Sequence, residues 1–146
     1  MAMNATMPQP DIARRHFTLE EANRSLPLVK MIVRDIVALY TEVCSRRERL
    51  EDLKNSRSKF LGSEGMFSDE LEEMETSIDT DIVRLREYID ELTALGIELK
   101  DPEIGLIDFL SLKDGKEICL CWKQGEEIVG FWHGTDEGLE DRKTVS

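Results

Sequence analysis

Two stretches of the chain carry apolar side chains at alternating steps of three and four residues. They cover residues 29–50 and 71–95, and a segment with two glycines separates them. This heptad spacing is typical of helices that pack along their length. The pattern therefore predicts an antiparallel hairpin of two long helices over residues 26–95, with a loop at 55–68.

Residues near the helix ends carry recognisable start and stop patterns. Thr18 and Glu21 have the spacing of a capping box, which predicts a short helix ahead of the hairpin. Pro27 suits the first turn of a helix, so we expect the first long helix to begin there and to end near Lys54. Gly96 is expected to cap the end of the second helix.

After the second helix the apolar pattern changes to a period of two. Ile118, Leu120 and Trp122 alternate with Cys119 and Cys121 in a strand-like run. Asp-Gly at residues 114–115 is a strong signal for a two-residue hairpin turn. We expect a small antiparallel meander of three strands over 97–133, followed by a polar C-terminal tail at 134–146. The fold class is therefore α+β, mainly α, with one domain over 17–146 after a disordered tail at 1–16.

Two positions in the helical seams are charged rather than apolar. If the hairpin turns near Glu64, facing residues have numbers that sum to about 128, which places Leu50 opposite Ile78. The same register places Arg47 opposite Asp81, and a polar pair in a seam can specify register. The alternative is that both side chains reach solvent at the edge of the seam.

Composition limits the partners that the protein is expected to have. The formal net charge is −12, which repels phosphate backbones and anionic membrane surfaces, so nucleic acid and membranes are not expected partners. No apolar run approaches the ~20 residues that span a bilayer. The three cysteines are odd in number and have no framework spacing, which favours a reducing cytoplasm.

The one grouping with candidate chemistry lies in the predicted meander. A two-residue turn at 114–115 places Asp108 opposite Cys121, and Glu126 and His133 come from adjacent strands or turns. Carboxylate, thiolate and imidazole together can bind Zn²⁺ or another transition metal. Two alternatives stay open: buried structural side chains, or a nucleophilic Cys121 activated by His133. No catalytic residue is assigned.

The chain also resembles a known family at residues spread along its length. The matching stretches are Phe17-Thr18, Glu21-Ala22-Asn23, Leu26-Pro27, Gly105-Leu106-Ile107-Asp108-Phe109, Gly115-Lys116-Glu117, Leu120-Cys121-Trp122, Gly125-Glu126, Trp132-His133, Gly138 and Arg142. On these it resembles the bacterial domain-of-unknown-function family 2203, whose members have no established activity and are sometimes labelled cell-division-like. The sequence departs from the family's pattern at Leu110, Leu139 and Asp141.

Two functional hypotheses follow from these features. In the first, the protein is a homo-oligomeric interaction module of coiled-coil type, with no cofactor. Apolar residues beside the seams widen each stripe beyond one partner helix, which predicts a homodimer; they are Ile32, Val37, Ile82 and Ile89. In the second, the meander holds a small metal-binding or thiol-dependent site. Whether the protein is an enzyme stays open.

Overall fold

Two long helices are followed by an antiparallel sheet of five strands in the part of the chain that the structure describes. This computed structural model describes residues 15–59 and 66–145. The elements are helices α1 (Leu19–Lys59) and α2 (Met66–Ala94), and strands β1 (Ile97–Asp101), β2 (Leu106–Lys113), β3 (Lys116–Lys123), β4 (Phe131–Gly134) and β5 (Lys143–Thr144). The mainly helical α+β class is confirmed.

The capping box predicted from the sequence begins α1. Thr18 N donates to Glu21 Oε1 and Glu21 N donates to Thr18 Oγ1, each over 3.0 Å. The predicted break at Pro27 is wrong, because α1 continues through this residue. A proline inside a helix removes one hydrogen bond and costs ~3 kcal/mol or more. A buried face that includes Ala22 before the proline and Val29 after it offsets this cost.

The two ends of the predicted loop belong to the helices instead. The loop was expected at 55–68, whereas α1 extends to Lys59 and α2 begins at Met66. Residues 55–59 and 66–68 contain neither glycine nor proline, so nothing in them breaks a helix. The middle of the expected loop, residues 60–65, lies outside the described residues, as do residues 1–14 of the expected tail. At the end of that tail, His16 Nε2 lies 2.9 Å from Glu117 Oε2.

The distal half of the hairpin, residues 39–53 and 71–82, has an apolar core of its own. Leu50 and Ile78, which the expected register places opposite each other, share this core. Its buried members are Val43, Leu50, Leu71 and Ile78, with Leu39, Leu53, Met74 and Ile82 partly buried around them. All of these residues are helical, so the hairpin alone forms this core.

The polar pair in the seam involves Arg46 rather than Arg47. Arg46 forms an ion pair with Asp81, and its other terminal nitrogen donates to Ser77 Oγ over 2.7 Å. The Arg46 and Asp81 side chains are 26% and 18% exposed, whereas Arg47 is an exposed residue. Successive helical residues point about 100° apart, so the one-residue error moves the guanidinium out of the seam. The predicted Arg47–Asp81 pair is therefore corrected to Arg46–Asp81.

The sheet follows the chain order β1-β2-β3-β4-β5, with every neighbouring pair antiparallel. Lys113 pairs with Lys116, and Asp114 and Gly115 have φ angles of 54° and 80°. Two successive positive φ angles are the signature of the tight hairpin turn that Asp-Gly favours. The predicted two-residue turn between β2 and β3 is therefore confirmed.

The sheet has more strands than the predicted meander of three: four strands, β1 to β4, lie within 97–134, and the predicted polar tail contains the fifth, β5. A short 3₁₀ helix, Leu139–Asp141, leads into β5, which pairs with β4. Arg142 Nη2 donates to Glu126 Oε2 over 2.6 Å, and Val145 N donates to Gly130 O over 3.0 Å. Two-residue strands leave no periodic pattern in the sequence. Contacts with distant residues fix this segment, and local alternation could not reveal them.

One face of the sheet packs against the other half of the hairpin, away from the distal core. Ile107, Phe109 and Leu120 join residues of both helices in the main core. A Cβ on Gly105 would come within 2.9 Å of Val33, so glycine allows β2 to begin directly against α1. No helix within the described residues has the length and apolar character that a membrane-spanning segment needs.

The residues that suggested a dimer also contribute to the chain's own two cores. Ile32 is buried in the main core, and Val37 and Ile89 pack against it. Ile82 packs against the distal core. Val37, Ile82 and Ile89 stay partly exposed, so contacts within one chain account for only part of their apolar surface.

Candidate metal centre

Strand register brings three potential metal ligands to one face of the sheet. Asp108 on β2 pairs with Cys121 on β3, as the hairpin turn predicted, and His133 on β4 pairs with Cys119. Side chains alternate between the faces of a strand, and the residues beside Asp108 and Cys121 point into the helix-facing core. The carboxylate, thiol and imidazole therefore share the face that points away from the helices.

The three side chains are close together and buried. One ligand atom from each of Asp108, Cys121 and His133 lies within 4.8 Å of the other two. Their exposed fractions are 3%, 0% and 3%, respectively. No other group of three such side chains meets this distance within the part of the chain that the structure describes.

The imidazole of His133 is held by one hydrogen bond on each side. Its Nδ1 lies 2.7 Å from Gly134 O, and its Nε2 lies 3.1 Å from Asp108 Oδ1. A carbonyl oxygen only accepts, so Nδ1 must carry a hydrogen. In the neutral ring Nε2 then presents a lone pair to a carboxylate oxygen. A positive particle, either a proton or a metal ion, has to lie between these two atoms.

The second oxygen of Asp108 is buried without a hydrogen-bond partner among the described residues. Lys100 Nζ lies 4.0 Å from this Oδ2, beyond hydrogen-bonding distance. Burial raises the pKa of Asp108 above its usual value, although His133, Lys100 and a hydrogen bond from the Cys121 thiol act in the opposite direction. Burial is the largest of these effects, so the site favours a positive charge or a proton beside this carboxyl group.

The two buried thiols are not activated as nucleophiles. Burial raises the pKa of Cys121 to about 12 and that of Cys119 to about 11, and the charge of Asp108 adds to both shifts. Thiols with such pKa values are protonated at neutral pH, whereas the attacking species is the thiolate. The arrangement gives no support to the thiol-dependent alternative. It does suit a bound cation, since coordination to a metal removes the thiol proton.

Comparison with known proteins places the chain in a family. The model of the uncharacterized conserved protein family DUF2203 matches residues 15–145. The chain belongs to DUF2203. No curated protein and no solved structure matches it significantly.

In this DUF2203 protein, Glu126 does not join the other predicted ligands. Its Oε1 accepts a hydrogen bond from Lys123 N over 2.9 Å, and its Oε2 accepts one from Arg142 over 2.6 Å. The guanidinium of Arg142 also stacks 3.9 Å from the ring centre of Phe131. Glu126 therefore anchors the C-terminal segment, and the predicted ligand set is reduced to Asp108, Cys121 and His133.

Sequence reasoning missed Lys100 and the Gly134 carbonyl, both of which act on this DUF2203 site. Lys100 follows the alternation of β1 and lies on the same face as Glu98, which pairs with Asp108. Its approach to Asp108 depends on the pairing of β1 with β2, which the local pattern of β1 does not reveal. The Gly134 carbonyl is a backbone group and has no signal in the sequence.

Proposed function

We propose that the protein binds one divalent transition metal ion, with zinc as the preferred candidate, through Asp108, Cys121 and His133. The observation that carries the proposal is the 3.1 Å contact between His133 Nε2 and Asp108 Oδ1. Since Nδ1 carries the ring hydrogen, these two acceptors require a cation or a proton between them. A buried thiol within 4.8 Å supplies a third donor.

The distances support this metal with small adjustments of the side chains. Nitrogen and oxygen ligands of a tetrahedral zinc ion, each ~2.0–2.2 Å from it, lie about 3.3 Å apart. The observed separation of 3.1 Å is close to this value. Sulfur and nitrogen ligands lie about 3.6 Å apart in the same geometry, so a thiol as far as 4.8 Å away would move by about 1 Å.

The surroundings of His133 also resemble those of a metal ligand. Histidines that bind metal usually donate their other ring N–H to a carboxylate or backbone carbonyl, which fixes the ring orientation. The Gly134 carbonyl accepts such a bond over 2.7 Å. The mixture of one sulfur, one nitrogen and one oxygen donor favours Zn²⁺ or Co²⁺ over Mg²⁺ and Ca²⁺, which prefer oxygen ligands.

Equilibrium dialysis of the full chain against zinc, with elemental analysis, tests the proposal. We expect one tightly bound zinc per chain, and its loss in Cys121→Ser and in His133→Gln. Matched controls are available at the protein's other histidine, His16, and at Cys119, two residues before Cys121. His16→Gln and Cys119→Ser should retain the metal. Absence of stoichiometric zinc in the unmodified chain, or equal binding by all variants, would reject the proposal.

A second candidate function is self-association through the distal half of the hairpin. The helical residues of this region form a narrow core without help from the sheet. A shallow groove beside it is lined by both basic and acidic side chains; they include Arg46, Arg49, Glu70 and Glu73. In a two-fold dimer the basic row of one copy can lie against the acidic row of the other.

Sedimentation equilibrium of charge-reversal variants tests this second candidate. We expect a dimer for the unmodified chain and weaker association for Arg49→Glu. Adding Glu73→Arg to that variant should restore association, because the two substituted positions, which face each other across the proposed interface, would again carry opposite charges. A monomer at high micromolar concentration would reject self-association.

We further propose that the protein works in the reducing cytoplasm. None of its three cysteines forms a disulfide, and two of them are buried in the sheet. A zinc-bound thiolate is stable in such a compartment, where thiols are kept reduced. Disulfide mapping of protein purified from its native cells without reductant tests this location, and an intermolecular disulfide at Cys44 would contradict it.

A further inference from the structure

A cavity of about 530 Å³ lies beside strand β1, at the edge of the sheet. We call it the β1 cavity. Apolar side chains of α2 and β2, including Ile89 and Leu110, form part of its wall. The volume lies in the range of pockets that hold small molecules. The cavity is therefore large enough for a ligand with a short hydrocarbon portion.

The charged side chains that line the β1 cavity are mostly acidic. They are Glu98, Asp108 and Glu117, with Lys100 as the one basic residue among the described residues of the lining. Lys100 Nζ lies 3.4 Å from Glu98 Oε2, so these two charges offset each other. His16 Nε2 lies 2.9 Å from Glu117 Oε2, and an imidazole offsets a carboxylate only when it is protonated. When His16 is neutral, the lining therefore carries an excess of negative charge.

Asp108 supplies the cavity with a buried hydrogen-bond acceptor that lacks a donor. The residue contributes to the lining although it is only 3% exposed. Its Oδ1 shares a proton or a metal ion with His133, whereas its Oδ2 is buried without a hydrogen-bond partner among the described residues. A buried acceptor without a donor is unfavourable. A ligand that donates a hydrogen bond to Oδ2 would remove this deficit.

Lys100 approaches this oxygen without satisfying it. Its Nζ lies 4.0 Å from Asp108 Oδ2, beyond hydrogen-bonding distance, and is closer to Glu98. The Lys100 side chain is 40% exposed, so it can move toward Glu98 and solvent. The ammonium group of a ligand can then lie in front of Oδ2, and it offers three N–H donors.

We propose that the β1 cavity binds a small primary amine in its ammonium form, which donates to Asp108 Oδ2 while its hydrocarbon portion lies against Ile89 and Leu110. The inference does not depend on the proposed metal centre, because Oδ2 lacks a donor whether Oδ1 shares a proton or a metal ion with His133. The negative charge of the lining favours a cation over a neutral or anionic ligand of the same shape.

Titration of the isotope-labelled full chain with n-butylamine, followed by amide signals in NMR spectra, tests the proposal. The buffer contains EDTA and is kept at about pH 8, where an amine is protonated and an ordinary imidazole is neutral. 1-Butanol and butanoate are the matched probes, since they combine a similar hydrocarbon portion with a neutral or an anionic head. We expect saturable shifts at Leu99 and Leu110 with butylamine, and no saturation with the other two probes.

Substitution of the two charged groups nearest to the ammonium changes its affinity in opposite directions. Lys100→Gln removes a competing positive charge, so butylamine should bind about threefold more tightly. Asp108→Asn replaces a charged acceptor by a neutral one, so butylamine should bind about tenfold more weakly. Weaker butylamine binding by Lys100→Gln would overturn the proposal, because the lysine would then be a contact of the ligand rather than its competitor.

A pair of threonine variants tests the location of the ligand. Thr93 lines the β1 cavity, so Thr93→Trp should block it and abolish saturable binding of butylamine. Its matched control is Thr80→Trp, since both threonines are exposed and donate to the carbonyl four residues earlier. Equal binding of butylamine by these two variants would overturn the assignment to this cavity.

The outcomes also separate this inference from the proposed function. Absence of a saturable response to butylamine, or equal binding of butylamine and 1-butanol, would overturn the amine site. Neither result bears on the metal centre, because the titration contains EDTA and zinc binding is measured by dialysis. Loss of zinc binding in dialysis would likewise leave the amine site standing.

Discussion

The Asp108→Asn variant should be more stable than the original chain without metal and less stable than it with zinc. Without metal, the original pair has to hold a proton between His133 Nε2 and Asp108 Oδ1, whereas the amide of Asp108→Asn donates its own hydrogen to Nε2 across the 3.1 Å contact. The variant also replaces the second carboxylate oxygen, which is buried without a hydrogen-bond partner among the described residues, by a neutral amide oxygen. An unpaired buried polar group costs ~1–3 kcal/mol. In EDTA we therefore expect the variant to be about 1–2 kcal/mol more stable than the original chain.

Zinc should act in the opposite direction. At a free zinc concentration of one hundred times Kd, binding adds about 2.7 kcal/mol to the stability of the original chain. The variant lacks an anionic ligand and should gain little. Since this gain exceeds the expected advantage of the variant, the original chain becomes the more stable protein.

Urea unfolding followed by circular dichroism, in EDTA and in excess zinc, measures both differences. Asp90→Asn, at an exposed position of α2, is the matched control and should follow the original chain in both buffers. If the variant is less stable than the original chain by about 2 kcal/mol or more in EDTA, and the order is the same in zinc, this prediction is wrong. Asp108 would then be a structural hydrogen-bond partner of His133.

Three further predictions concern pH, register and helix continuity. Metal binding at neutral pH should release about two protons, one from the thiol with its raised pKa and one shared by the carboxylate and imidazole, so calorimetry should show affinity rising with pH. In double-mutant cycles, Arg46→Ala with Asp81→Ala should give a coupling of at least ~0.5 kcal/mol, and Arg47→Ala with Asp81→Ala a smaller one. Pro27→Ala should stabilise the protein by ~1–3 kcal/mol in urea unfolding, because it restores the N–H that Asn23 O lacks; an unchanged midpoint would contradict this.

Local sequence patterns predicted those elements whose apolar spacing or turn residues are distinctive within the element itself. The heptad steps predicted both long helices, and Asp114–Gly115 set the register that pairs Asp108 with Cys121. The same patterns failed at Pro27, because burial on both sides of a proline can outweigh its local preference. They also placed the arginine partner of Asp81 at Arg47, one residue after Arg46. Neighbouring positions on a helix point about 100° apart, so this difference separates a side chain in the seam from an exposed one.

The sequence predicted the types of side chain in the candidate site, but only part of the set of residues that the structure brings together there. A strand pattern can place Asp108 and Cys121 on one face, because alternation and register are local properties. It could not show that Glu126 binds Arg142, since this contact depends on the return of the C-terminal segment to β4. The position of Lys100 beside Asp108 depends on the pairing of β1 with β2, which also leaves no local signal.

The proposed metal centre can be observed directly in an anomalous difference map from crystals of the full chain grown with zinc, recorded at the zinc absorption edge. We expect one strong peak per chain, ~2.0–2.3 Å from His133 Nε2, Cys121 Sγ and one oxygen of Asp108. Peaks confined to surface carboxylates, with His133 Nε2 still 3.1 Å from Asp108 Oδ1 and no density between them, would contradict it.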